Sequence, residues 1–204
     1  MSAAFLVVSL LLAQEPEIAV YTPTHDLNLR HTAIYALGQL DPAEPDSVAN
    51  HLEDDDWYIR RAAIRRLAKL HPSALVIHGV SIALLMADED WNVRLAAVEA
   101  LSRLHPQKLS VYAAALAHRL DDADWSVRLA AIEAMSRLSP FVLEGHARAI
   151  VARLGDSDWQ VRRAAMEAVG RLEPRSLVPH TVAIAKCLDD SDWQARSRTL
   201  VVSP

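Results

Sequence analysis

Tryptophan recurs every 34 residues along most of this chain, and the residues around it recur as well. The segment LDDADWSVRLAAIEAMSRLSP, which begins at Leu120, matches MADEDWNVRLAAVEALSRLHP from Met86 and LGDSDWQVRRAAMEAVGRLEP from Leu154. The tryptophans of this column are Trp57, Trp91, Trp125, Trp159 and Trp193. A fixed period of this length indicates a repeat array, in which each unit buries its apolar side only by stacking on its neighbours.

Each unit has the pattern of two helices. Counted from the tryptophan as position 0, the second helix has apolar residues at +2, +5, +6, +9, +10 and +13, which is the spacing of an amphipathic helix with one buried side. In the central unit Asp124 is placed to cap this helix, and Pro140 ends it. The alanines at +5 and +6 allow the helices to approach closely. The sequence therefore predicts an all-α fold, an α-solenoid that stacks antiparallel helix pairs in a right-handed manner.

The array is predicted to cover residues 26–204. Its units lie near residues 26–42, 43–72, 73–106, 107–140, 141–174 and 175–204, and are numbered 1 to 6 below. Units 1 and 6 depart from the pattern, as terminal units of repeat arrays commonly do. Residues 1–25 contain the apolar stretch Ala3–Ala13, which is too short to span a bilayer. We expect it to form a helix that caps the first unit, with a cleaved or targeting segment as the alternative.

Composition limits the classes of function. The formal net charge of −5 and the pI near 6.0 give the whole molecule no attraction for phosphate backbones, so nucleic acid is disfavoured as a partner. A single cysteine, Cys187, excludes an internal disulfide and a four-cysteine metal site, and weakly favours the cytoplasm. No transmembrane segment is predicted.

The repeated pattern Leu-x-Asp-x-Asp-x-x-Val-Arg-x-Ala-Ala-x-x-Ala-Leu resembles the HEAT repeat, and most closely the short HEAT-like repeats of the phycobiliprotein-lyase group. The resemblance extends from about Asp26 to Arg196. It implies a curved solenoid whose second helices line the concave face, with protein binding as the common function. It also implies an alternative, an accessory or catalytic member of the lyase and hydroxylase group. No catalytic residue, metal or cofactor is assigned, and the paired His-Glu dipeptides of the related di-iron hydroxylase are absent.

Charged residues also form columns. An aspartate precedes each tryptophan and an arginine follows three residues after it, so the two can meet on one helix face, while the arginine can also reach the acidic turn of the next unit. We interpret this set as a structural ladder, because catalysis requires one unequal pair of carboxylates rather than the same pair in every unit. Its members are Asp56, Arg60, Asp90, Arg94, Asp124, Arg128, Asp158 and Arg162.

Two further columns are aromatic or contain histidine. The tryptophans are expected to pack over the neighbouring turn, and the alternative is an exposed aromatic row that holds a peptide or stacks on bases. His78, Tyr112, His146 and His180 form the other column. Because equivalent positions on stacked helices lie about 10 Å apart, these histidines are too widely spaced to share one metal ion.

The remaining candidate site is the solvent side of the second helices, at positions +1, +4 and +8. Leu95 and Leu129 are expected to be exposed there, with Arg61 and Arg163 on either side. An apolar centre flanked by arginines suits an amphipathic partner segment with acidic flanks, although isolated exposed leucines are also ordinary. Unit 2 adds a basic row that leaves weak nucleic-acid binding as a third hypothesis. The predicted partner-binding residues are Tyr58, Arg61, Arg65, Asn92, Leu95, Ser126, Leu129, Gln160 and Arg163.

Overall fold

The computed structural model of the chain describes residues 45–69 and 72–186. The predicted segment 1–25, unit 1, Cys187 and Trp193 lie outside these residues. In chain order the α-helices are α1 (Pro45–Ala49), α2 (Trp57–Lys69), α3 (Pro72–Ile77), α4 (Gly79–Leu84), α5 (Trp91–Ser102), α6 (Pro106–Leu109), α7 (Ala113–Arg119), α8 (Trp125–Ser136), α9 (Pro140–Glu144), α10 (Ala147–Ala152), α11 (Trp159–Val169), α12 (Pro174–Leu177) and α13 (Thr181–Lys186). Short 3-10 turns cover Asn50–Glu53, Leu85–Ala87, Ser110–Tyr112, Arg153–Gly155 and Val178–His180.

The second helices, α2, α5, α8 and α11, each begin at the tryptophan. The aspartate before the tryptophan has an extended backbone, and its side chain accepts a hydrogen bond from the amide at +1, for example from Ser126 N to Asp124 Oδ1 at 2.9 Å. This bond satisfies one of the backbone amides that a helix start leaves without a partner. A proline then opens the first helix of the next unit, at Pro106, Pro140 and Pro174. The predicted start of the second helices at the aspartate N-cap is therefore confirmed, whereas α8 ends at Ser136, before the predicted end at Pro140.

The first helices differ from the prediction because each is broken into short pieces. In units 3 to 5 the break falls at the column of His78, Tyr112 and His146, whose φ and ψ are −94° and 8°, −98° and 6°, and −118° and 10°. These angles lie near the bridge region, outside the α-helical region. The carbonyl oxygen of this residue starts the next piece, as in the 3.0 Å bond from Ile82 N to His78 O. The histidine column thus marks a bend in the first helix.

Stacking of the units produces one continuous core. Successive second helices pack directly, α2 on α5, α5 on α8 and α8 on α11. Alanine at +6 allows the close approach, since Ala63, Ala97, Ala131 and Ala165 are all completely buried. The α-solenoid fold is confirmed, and no helix among residues 45–69 and 72–186 has the length and apolar content needed to cross a bilayer.

Gly79 lies close to a side chain of the next unit's first helix. A Cβ added at this glycine would lie 2.3 Å from the hydroxyl oxygen of Tyr112 and 3.3 Å from its Cζ. The equivalent positions in the next two units are Ala113 and Ala147. The tyrosine that interrupts the histidine column therefore requires a glycine in the preceding unit.

We predict that Gly79→Ala lowers the free energy of unfolding by about 1 kcal/mol, the low end of the cost of overpacking, because the added Cβ meets the far end of the Tyr112 side chain, which can shift. Chemical denaturation of Gly79→Ala with and without Tyr112→Phe measures the effect, and removal of the hydroxyl should recover much of the loss. Gly155→Ala is the control, because its added Cβ would meet no atom within 4 Å. A loss that is the same with tyrosine and with phenylalanine at position 112 would show that this contact is not the cause.

Candidate functional site

Arginines at position +3 join each unit to the next. Arg128 is 8% exposed, and its Nε and Nη2 each donate at 2.8 Å to the two carboxylate oxygens of Asp156, 28 residues onward. Its Nη1 donates to the carbonyl oxygens of Asp122 and Ala123 at 2.8 and 3.1 Å. Arg60 and Arg94 repeat this arrangement on Asp88 and Asp122. A planar guanidinium is suited to this task, because it can bind a carboxylate with two parallel hydrogen bonds.

The acceptors of this ladder differ from those expected from the sequence. Asp90 and Asp124 were expected to pair with the arginine of their own helix, Arg94 and Arg128, but they accept from the amides of Asn92 and Ser126 as N-caps. The arginines reach the next unit, as predicted, at the aspartate three residues before the tryptophan. In the ladder's end units, Asp56 and Asp158 are also N-caps, and Arg162 Nη1 donates to the carbonyl oxygens of Asp156 and Ser157 at 3.0 and 3.1 Å.

The ladder changes the acidity of its members. Hydrogen bonding to Asp156 raises the pKa of Arg128 above its ordinary value, despite the opposing effect of burial. Burial alone would raise the pKa of Asp122 and of Asp156, but hydrogen bonds from Arg94 or Arg128 and from a backbone amide outweigh it, so both pKa values fall below 3.8. These carboxylates remain charged and occupied by donors at neutral pH, which suits a structural role.

The lowered pKa values of Asp122 and Asp156 predict an acid limit to stability. A carboxyl group with a folded-state pKa below its unfolded value of 3.8 contributes its full stabilisation above that value. The contribution is lost as the pH falls through the folded-state pKa, because the unfolded chain then binds more protons. Urea denaturation midpoints should therefore decline steeply below about pH 4. The decline of the midpoint with falling pH should be shallower for the double variant Asp122→Asn, Asp156→Asn. An unchanged decline would argue against the pKa shifts.

The tryptophan column leaves an aromatic row in solvent. Trp91, Trp125 and Trp159 are 42%, 43% and 36% exposed. Trp57 is more enclosed, and its ring meets that of Tyr58 edge to face at a centroid distance of 5.3 Å. The expected packing over the neighbouring turn is therefore only partial, and more than a third of each of the other three indoles faces water. These exposed indoles recur once in each of three successive units.

Positions 0, +1, +4 and +8 of the second helices form one surface, called here the second-helix face. A direct contact shows that 0 and +4 share a side, since the guanidinium carbon of Arg163 lies 5.6 Å from the ring centre of Trp159. Position +8 continues it, because Arg163 Nε lies 3.8 Å from a carboxylate oxygen of Glu167. In units 3 and 4 the glutamates at +8, Glu99 and Glu133, are exposed.

Most of the predicted binding residues lie on the second-helix face, but their exposure differs from expectation. Leu95 and Leu129 are only partly exposed, and Leu129 packs against the core. The residues at +1 are also half-buried, and two of them, Asn92 and Ser126, bond to their own N-cap aspartates. They are Tyr58, Asn92, Ser126 and Gln160. The apolar surface available to a partner therefore comes mainly from the tryptophans. Each tryptophan lies four residues before the leucine of its helix, and this spacing places both side chains on the same side.

The basic end of the face lies in unit 2. Arg65 is exposed, whereas Arg61 is half-buried, and burial together with the nearby charge of Arg65 lowers the pKa of Arg61. Arg163, at the other end, is already engaged by Trp159 and Glu167. The two flanking arginines therefore differ, since Arg163 contacts side chains of its own helix. Within residues 45–69 and 72–186, no group of three or more His, Cys, Asp or Glu side chains is arranged to hold a metal ion.

Comparison with known proteins agrees with this architecture. Residues 80–150 match the family model described as HEAT repeats. No curated protein matches the chain by sequence. Among solved structures, designed armadillo repeat proteins for modular peptide recognition are similar at a TM-score of 0.66 and 19% identity, over 86% of this chain and 89% of theirs.

Two further structures are similar in fold. A designed armadillo repeat protein in complex with the peptide (KR)4 has a TM-score of 0.66 and 15% identity, over 99% of this chain and 98% of that chain. The complex of CpcE and CpcF of phycocyanin lyase from Nostoc sp. PCC7120 has a TM-score of 0.56 and 17% identity, over 79% of this chain and 99% of that chain. At these identities the likeness concerns the fold alone. Together with the in-register repeats, the family match shows HEAT repeats over residues 80–150, and these structures show an armadillo-like solenoid fold.

Proposed function

We propose that this chain is a non-enzymatic scaffold whose second-helix face binds an extended segment of another protein. The observation that carries the proposal is the row of exposed indoles at Trp91, Trp125 and Trp159, one in each successive unit. Aromatic side chains offer a large contact area at a low cost in conformational entropy and dominate many protein interfaces. A row with the period of the repeats suits a ligand that runs along the stack.

The structural neighbours support this proposal by analogy. The designed armadillo proteins recognise peptides, and one of them was solved with (KR)4 bound. They share the stacked architecture with this chain, so a surface built from equivalent positions of successive units is available here as well. Analogy of fold raises the expectation of peptide binding, but the site itself has to supply the affinity.

Charge along the face gives the ligand a direction. Arg61 and Arg65 make the unit 2 end basic, and this end suits the acidic flank predicted from the sequence. The other expected acidic contact, at Arg163, has lost its basis because Glu167 already lies 3.8 Å from that guanidinium. An acidic residue of the partner is therefore proposed at the unit 2 end only.

The other two functions have weaker support. A lyase-like accessory or catalytic role rests on the fold shared with CpcE and CpcF. Nucleic-acid binding rests on the basic residues of unit 2, and one of these, Arg60, is held by Asp88 with two hydrogen bonds of 2.7 and 2.8 Å. No observation on the described residues raises either function above peptide binding.

Paired tryptophan substitutions test the proposal. Twelve-residue peptides selected from a random library against the wild-type protein should bind Trp91→Ala with Trp125→Ala roughly 30-fold or more weakly, the effect of losing an aromatic hot spot. The matched control is Val111→Ala with Phe141→Ala on the first helices, where those side chains are 75% and 85% exposed. Circular dichroism melts should be unchanged in both pairs. Peptides that keep their affinity for the tryptophan variant would refute the proposal.

A further inference from the structure

Unit 5 already contains a cation seated on the tryptophan row. The guanidinium carbon of Arg163 lies 5.6 Å from the centre of the Trp159 ring, and its Nε is 3.8 Å from Glu167. A guanidinium within about 6 Å of an indole is attracted by the ring, and a carboxylate at this distance adds an ionic contact. Unit 5 therefore shows that the space between positions 0 and +8 accommodates a cationic side chain.

Units 3 and 4 keep both ends of this arrangement without the cation. Trp125 and Glu133 occupy positions 0 and +8 of unit 4, but a partly buried leucine, Leu129, stands at +4. No side chain in the described ranges 45–69 and 72–186 makes a hydrogen bond or ion pair with Glu133. Unit 3 repeats the set, although Arg61 of the preceding unit interacts electrostatically with its glutamate at +8. The indole and the carboxylate thus both face solvent with an apolar floor between them.

We propose that arginine or lysine side chains of the bound segment complete these two units. One cationic group would lie over Leu129 between Trp125 and Glu133, and a second over Leu95 in unit 3. The proposal rests on the second-helix face being the peptide-binding surface. Arginine fits better than lysine, because its planar, weakly hydrated guanidinium stacks on aromatic rings while its stem contacts the leucine.

The spacing of the units defines the ligand further. Neighbouring helices lie roughly 8–10 Å apart, and an extended chain advances about 3.3 Å per residue. The two basic side chains should therefore be two or three residues apart. The ligand is an extended segment with two such residues over units 3 and 4 and an acidic residue toward unit 2.

Citrulline provides a direct test, because it replaces the guanidinium by a neutral group of nearly the same shape. Blocked Gly/Ser peptides with two arginines, separated by one or two residues, should bind about 10-fold or more tightly than their citrulline versions at 0.15 M salt. Isothermal titration calorimetry gives the affinities. Glu133→Gln should weaken binding of the arginine peptide, whereas Glu173→Gln, an exposed charge change at the N-cap of α12, should not.

Substitutions at position +4 of the protein test the same proposed cation site. Leu129→Arg should supply an internal guanidinium, as in unit 5, and remove most of the preference for arginine over citrulline, while Leu129→Met should preserve it.

Two results would overturn the inference, and they are distinguishable. Equal binding of arginine and citrulline peptides, both lost with Trp91→Ala and Trp125→Ala, would refute the cation and leave the peptide-binding face standing. Failure of both peptides to bind, with library peptides unaffected by the tryptophan substitutions, would refute the two proposals together.

Discussion

Replacing Arg128 by alanine is expected to lower the free energy of unfolding by about 3–5 kcal/mol, the usual cost of breaking a buried ion pair. The arginine and its partner Asp156 are 8% and 9% exposed, so neither is freely hydrated. Removal of the guanidinium leaves a buried carboxylate whose nearest other cation is Arg153, at 3.6 Å. It also takes the donor away from the carbonyl oxygens of Asp122 and Ala123.

Chemical denaturation with a matched control measures this loss. Arg137→Ala removes an exposed arginine just after the same helix and should change the free energy of unfolding by no more than about 0.5 kcal/mol. Asp156→Asn keeps an acceptor for the amide of Asp158 but removes the charge, so the double variant with Arg128→Ala should lose less than the sum of the single losses. Additive losses, or a loss below 1 kcal/mol for Arg128→Ala, would contradict the ladder.

Leu101→Ala should have the second large effect, a loss of about 2–5 kcal/mol in the free energy of unfolding. Leu101 is completely buried at position +10 of α5, in the middle of the stack, so a cavity there affects contacts on both sides. The chain supplies its own control, since Met135 occupies the same position in unit 4 and is also completely buried. Leu101→Met conserves the volume and should cost less than about 1.5 kcal/mol. Similar losses for the two substitutions would show that volume at this position does not limit stability.

The sequence predicted the elements whose determinants are local. Amphipathic spacing, the aspartate N-caps and the prolines were sufficient to place the second helices, and the period showed that they stack. The break in the first helices was missed, because a histidine or tyrosine does not by itself stop a helix. The close approach of Tyr112 to Gly79 was also missed, because it joins neighbouring units and no single unit reveals it.

The sequence predicted the position of the candidate site more accurately than the solvent exposure of its residues. Each acidic turn has at least two aspartates; the sequence identified Asp124 as the N-cap, but only the structure shows that Asp122 accepts Arg94 from the preceding unit. The exposure of Leu129 and Trp125 also depends on packing, since a leucine at +4 can turn into the groove between helices, whereas an indole at the first helical position projects beyond it. Hydrophobic spacing alone does not distinguish these cases.

The stacking of the units can be tested by measuring distances between spin labels placed at the glutamate positions +8. With Cys187→Ser as background, labels at Glu99→Cys and Glu133→Cys should be separated by one unit, and labels at Glu99→Cys and Glu167→Cys by two. If equivalent positions advance along the solenoid, the second distance will exceed the first by about 8–10 Å. Two equal distances would mean that the units converge on a common centre, and the account of a repeated binding face would then be wrong.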